Sequence, residues 1–188
     1  MYKKLVIYFS FIVLLNADDY SLKFDGLDDY IDFGTNASTE ISGDLSIVAW
    51  FKFDDFSNSL STVLMKESTS LSDNNAYGIN KTWGGNGLDF VIGDGNTTNI
   101  VSTQELQAGQ WYHLVCTNDG NYSRVYVDGV MHNEIESGNP LAPNADLKIG
   151  LHSTISNQDR FWKGNIDDVS LWNVALSQEQ VENFYQNN

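Results

Sequence analysis

The chain has 188 residues, of which 41% are hydrophobic and 13% aromatic. That is one domain's worth of chain with enough apolar material for a core. Ten Lys plus Arg stand against 25 Asp plus Glu, a formal charge of −15, which argues against nucleic acid and anionic membrane surfaces as partners. One Cys excludes an intrachain disulfide and a Cys-rich zinc site, and three His without an H-E-x-x-H spacing argue against a zinc hydrolase.

Lys3 and Lys4 precede an apolar run from Leu5 to Leu15 that only Ser10 interrupts; Asn16, Ala17 and the acidic pair Asp18 and Asp19 follow. A basic start, a short apolar stretch and a small residue before acidic chain read as a secretory signal peptide over residues 1–17. The run is too short to span a bilayer comfortably. The expectation is an exported protein, secreted or periplasmic, whose folded part is residues 18–188 and which inserts in no membrane.

The body reads as short strands separated by turns. Leu45, Ile47, Ala49, Phe51 and Phe53 alternate with Ser46, Val48, Trp50 and Lys52, the period of a strand with one core face. Val63 to Lys66, Tyr77 to Lys81 and Leu88 to Ile92 follow, the last two joined by the Gly-rich turn Trp83-Gly84-Gly85-Asn86-Gly87. Ile100 to Ser102 and Trp111 to Thr117 come next. Asn118-Asp119-Gly120-Asn121 is a hairpin signal, and Arg124 to Val127 leads through Asp128-Gly129 into Val130 to Ile135. Leu147 to Gly150 and Ile166 to Trp172 complete the strands. Ser177 with Gln180 forms a capping box ahead of Val181, Phe184 and Tyr185, which predicts one C-terminal helix. Many strands at short spacing predict an all-β antiparallel sandwich of jelly-roll type. Cys116, inside an apolar run, reads as a buried structural thiol.

Three stretches, LKFDGLDDYIDFG (22–34), QWYHLVCTNDGNYSRVYVDGV (110–130) and KGNIDDVSLWNVALS (163–177), resemble the laminin-G-like, concanavalin A-like jelly-roll superfamily to which pentraxins are related. The resemblance implies a two-sheet sandwich whose first and last strands meet at one edge. The second Cys of the pentraxin disulfide is missing, so pentamer formation and headgroup binding are not carried over.

Enzymes of this fold cleave glycosidic bonds, but no Glu-x-Asp-x-x-Glu run and no Gly-x-Ser-x-Gly elbow occurs. The expectation is therefore a non-catalytic module. Asp25, Asp28 and Asp29 occupy a Gly-containing turn, and the resemblance places Asp167 and Asp168 of the last strand nearby. Relatives often carry a structural Ca²⁺ there, so Asp25 and Asp167, with Asp168 as an alternate, are the expected metal ligands; Asp28 and Asp29 read as turn formers. For a sugar-stacking face the candidates are Trp83 in the Gly-rich loop, Trp50 on the minority face of its strand, and Trp162 after Arg160 and Phe161. Trp111 and Trp172 read as core. The polar loops Ser70–Asn75, Asp94–Asn99 and Ser153–Asp159 offer a frame for a site. The expected partner is a glycan or an extracellular protein, with self-association and a polysaccharide-degrading activity as the alternatives.

Overall fold

A computed structural model describes residues 4–5, 20–58, 61–67, 75–141, 144–152 and 160–187. In chain order the strands are β1 (Lys4–Leu5), β2 (Leu22–Asp25), β3 (Ile31–Asp32), β4 (Leu45–Phe53), β5 (Thr62–Glu67), β6 (Asn75–Lys81), β7 (Leu88–Asp94), β8 (Thr98–Ser102), β9 (Trp111–Asn118), β10 (Tyr122–Val127), β11 (Val130–Glu136), β12 (Leu147–Ile149) and β13 (Lys163–Trp172), with one α-helix, α1 (Gln178–Asn187). They form two antiparallel sheets. The first runs β13-β4-β9-β10-β11, with β2 and β1 both paired to the outer side of β13. The second runs β3-β12-β5-β6-β7-β8. The jelly-roll sandwich expected from the alternating strands and paired turns is therefore what the chain forms, with β2 and β13 meeting at one edge. Of the expected signal segment, only the backbone of Lys4 and Leu5 lies within the described residues.

The alternation along β4 sets the layers. Leu45, Ile47, Ala49, Phe51 and Phe53 are fully buried against Leu64, Tyr77, Ile79 and Phe90 of the facing sheet. Gly164 shows how closely the last strand approaches β4: a Cβ there would stand 1.9 Å from the Lys52 carbonyl oxygen. Only glycine lets β13 run beside β4 at this point.

The outward face of the first sheet is covered by α1. Val48, Val115, Tyr126, Trp172 and Val181 make a second apolar cluster beneath the helix. The expected capping box is present: the Gln180 N–H donates to Ser177 Oγ (3.3 Å), and the Ser177 N–H donates to Gln180 Oε1 (2.9 Å). Cys116 is buried, and burial pushes its thiol pKa well up, as a structural thiol requires.

Candidate functional site

Two turns and the end of β11 enclose a shallow groove of about 720 Å³. One wall is the β7–β8 turn with Asp94 and Thr97; the other is the β9–β10 turn with Asp119, Asn121 and Tyr122; Arg124 and Glu136 complete it. The groove lies where the edge of one sheet meets the edge of the other, because β8 and β11 are the terminal strands of their sheets.

Both turns are built by their own aspartates. Asp94 Oδ1 accepts the N–H groups of Asn96 (2.8 Å) and Thr97 (2.7 Å), and the Asp94 N–H donates to the Thr97 carbonyl. These backbone bonds hold the Asp94 carboxyl below its ordinary pKa. Asp119 Oδ1 does the same for Asn121 (2.9 Å) and Tyr122 (2.8 Å). Gly120 has φ +81°, a backbone conformation that favours glycine; a Cβ there would meet only the movable amide of Asn139. Behind the turn the Asn118 amide donates to Ser137 Oγ (2.8 Å) and Ser123 Oγ (3.0 Å), and the two serine hydroxyls bond each other at 2.6 Å. This buried polar network ties the β9–β10 turn to the exit of β11.

Arg124 is fixed from two sides. Its Nη1 donates to Asp119 Oδ2 at 2.7 Å, and its Nε pairs with Glu134 on the neighbouring strand. Its guanidinium carbon stands 5.2 Å from the centroid of the Tyr122 ring, which is 36% exposed. Although desolvation works the other way, Arg124 holds the Asp119 carboxyl low together with the turn N–H groups. The groove thus offers fixed acceptors, side-chain amides and one exposed aromatic edge. Asp94 and Asp119 are ionised at neutral pH, so neither can act there as the proton-donating acid of a glycosidase.

The tryptophans expected at a ligand face separate. Trp83 is 74% exposed in the turn between β6 and β7, as its Gly-rich surroundings suggest. It stands at the opposite end of β7 from Asp94, on the order of 20 Å away by strand rise, and so lies outside the groove. Trp162 is a correction: it is fully buried, its ring 4.3 Å from that of Phe53 and edge-on to Phe51. It has no face to offer a ligand; it plugs the core where β13 begins. Trp50 is half-buried, its ring 5.1 Å from His113 and 6.1 Å from Tyr185 of α1, so much of its surface is spent on the helix. Trp172 is core as expected, but Trp111 is 38% exposed; Lys52 Nζ lies 5.2 Å from its ring centroid.

The acidic residues also regroup. Carboxylate oxygens of Asp25, Asp28 and Asp29 lie within 4.8 Å of one another. Asp25 Oδ1 accepts the Leu27 N–H (2.7 Å) and Asp29 Oδ2 accepts the Asp25 N–H (3.0 Å), which leaves oxygens unspent on both. An all-carboxylate oxygen set suits Ca²⁺. Asp167 and Asp168 do not join it. Asp25 pairs with Lys163 in the β2–β13 register, and Asp167 stands four residues further along, about 13 Å by strand rise. The register of β13 breaks between Asp167 and Ser170, and Asp168 has φ +45° there, its N–H bonded to Asp167 Oδ1. The expected pairing of Asp25 with Asp167 is therefore replaced by a local trio. Of the polar loops, Asp94–Asn99 frames the groove; residues 70–74 and 153–159 lie outside the described residues.

The groove was not legible as such. Its local signals are the polar loop Asp94–Asn99 and Tyr122 directly after the Asn118–Asn121 turn; the approach of the two turns is a product of sheet order.

Residues 24–182 match the Laminin_G_3 family, described as the concanavalin A-like lectin/glucanases superfamily. The chain belongs to this family. Among solved structures it is similar to the NanB sialidase from Streptococcus pneumoniae, with TM-score 0.69, 20% identity, 86% of this chain and 27% of the sialidase chain covered. Domain 4 of AbnA, an extracellular arabinanase from Geobacillus stearothermophilus solved with arabinotriose, aligns with TM-score 0.59 and 20% identity over 88% of this chain and 71% of that chain. Mouse pappalysin-1 is 25% identical over 95 residues, which are 45% of this chain and 5% of pappalysin-1. The chain thus spans about a quarter of the sialidase and a small fraction of pappalysin-1. At these identities the likeness to solved structures speaks for the fold.

Proposed function

We propose that this family member is an exported, non-catalytic glycan-binding module that holds a sugar in the groove between the β7–β8 and β9–β10 turns. The observation that carries this is the groove itself: rigid carboxylate and amide groups set beside the exposed ring of Tyr122. Sugars present hydroxyls that donate to such acceptors and C–H faces that pack on aromatic rings. The low-held Asp94 and Asp119 carboxyls favour binding over acid catalysis, and a relative's domain solved with arabinotriose supports a sugar as ligand. A Ca²⁺ ion at Asp25, Asp28 and Asp29 would brace the β2 edge as a structural element. The basic start and apolar run of residues 1–17 support export, and among the described residues no helix is long and apolar enough to cross a membrane.

A second reading, self-association or docking to an extracellular protein, is favoured by β11: this terminal strand exposes Val130 and Met131 at 63% and 48%. A glycan array probed with wild type and Tyr122→Ala tests the first reading. Specific retention of wild type that the variant loses supports it; no retention, with a dimer in sedimentation, favours the second.

A further inference from the structure

The geometry points to an uncharged glycan as the ligand of this groove, with sugars that carry carboxylates or sulfates excluded. The inference rests on the glycan-binding reading above and adds the chemical class of the sugar. Three carboxylates, those of Asp94, Asp119 and Glu136, face the groove against one guanidinium, Arg124.

That guanidinium is already paired on two sides. Acidic sugars are commonly gripped by an arginine that presents two parallel N–H groups to the carboxylate. Here one N–H of Nη1 goes to Asp119 and the Nε–H to Glu134, so the Nε edge of the fork and two of its five N–H groups are held by the protein's own acids. Two carboxylates offset one positive charge, and the groove gains no net attraction for an anion from it. Glu136, which stands opposite Tyr122 across β10 and β11, is exposed and makes no ion pair among the described residues. Its charge is therefore uncompensated beside the one aromatic ring a sugar would cover. Asp94 is satisfied by backbone N–H groups, which stabilise its ionised form without cancelling its charge. The chain as a whole carries −15, so the long-range field repels anions as well.

Neutral sugars meet the opposite situation. Their hydroxyls donate to carboxylate oxygens that keep open lone pairs, and the Asn121 side-chain amide can donate to ring and hydroxyl oxygens. No charge has to be desolvated on the ligand side.

The test measures binding of the full chain, in physiological salt, to immobilised arabinan and β-glucan (neutral) and to polygalacturonate and polysialic acid (acidic). Wild type, Tyr122→Ala and Glu136→Gln are compared. The expected result is retention on at least one neutral polymer, lost in Tyr122→Ala, with far weaker retention on both acidic ones. Glu136→Gln should raise the ratio of acidic to neutral binding about threefold, the Coulomb effect of removing one unit charge several ångström away in water. Preferential binding to an acidic polymer that Tyr122→Ala abolishes would overturn the exclusion and leave the glycan reading standing. Binding to none of the four, or neutral binding indifferent to Tyr122→Ala, would overturn both.

Discussion

Trp50 and His113 are cross-strand partners on β4 and β9, and their rings lie 5.1 Å apart beneath α1. Tyr185 of the helix lies 5.9 Å from the imidazole and 6.1 Å from Trp50, so the three rings form a triangle. His113 is fully buried, and neither ring nitrogen has a hydrogen-bond partner among the described residues. Asp128 Oδ1 accepts the backbone N–H of His113 (2.9 Å), not a ring nitrogen. The stack is thus an apolar use of a titratable side chain.

That arrangement has a pH signature. Burial lowers the His113 pKa from 6.5 to about 4. The unfolded state therefore binds the proton more readily than the folded state. The resulting stability is full above pH 6.5, falls as pH drops from 6.5 to about 4, and is constant below that. Two to three pKa units correspond to about 3 kcal/mol across that window. His113→Phe keeps an aromatic ring packed against both Trp50 and Tyr185 and removes the proton site. Denaturant unfolding at pH 7.0 and 4.5 should show a smaller loss for the variant than for wild type; equal losses would contradict the neutral, buried imidazole.

Trp83 and Trp162 make an opposed pair. Trp83→Ala removes a ring that is 74% exposed and should change stability by no more than about 0.5 kcal/mol. Trp162→Ala removes a fully buried ring packed on Phe53 and should cost about 3–5 kcal/mol. Thermal and urea unfolding of the two variants check this; similar costs would contradict the burial assigned to either.

The difference between these two tryptophans marks what the sequence could tell. β4 was legible because its period of two runs unbroken over nine residues, the β9–β11 hairpins because Asp-Gly and Gly-Asn pairs specify their turns, and the helix start because Ser177 and Gln180 satisfy each other locally. Trp83 was legible as exposed because glycines surround it. Trp162 follows Phe161 in an otherwise polar stretch and is swallowed by Phe51 and Phe53 from a strand about 110 positions earlier. The same limit hid the groove: Asp94 and Asp119 belong to different sheets, and only the packing of one sheet edge on the other brings them to one cleft. Asp25 and Asp167 are the reverse case, joined in expectation by adjacent strands and parted by a register that sequence spacing does not reveal.

The Asp25, Asp28 and Asp29 trio predicts a chelator effect. Ca²⁺ bound only by the folded state stabilises it by about 2.7 kcal/mol at one hundred times Kd. Melting temperature should fall when excess chelator replaces millimolar Ca²⁺. Asp28→Asn, whose side chain makes no hydrogen bond among the described residues, should melt like wild type in chelator and gain nothing from Ca²⁺. Asp167→Asn should respond to Ca²⁺ as wild type does. Identical melting with and without chelator would end the metal assignment.

The placement of the sugar is tested most directly by mapping amide chemical shifts of the ¹⁵N-labelled chain during titration with a neutral oligosaccharide released from a polymer that it retains. The N–H signals of Gly120, Asn121 and Gly138 should move saturably, while the Trp83 indole signal at the far end of β7 stays in place. Movement of the Trp83 indole with the groove amides unchanged would contradict the account and put the glycan on the opposite end of the sandwich.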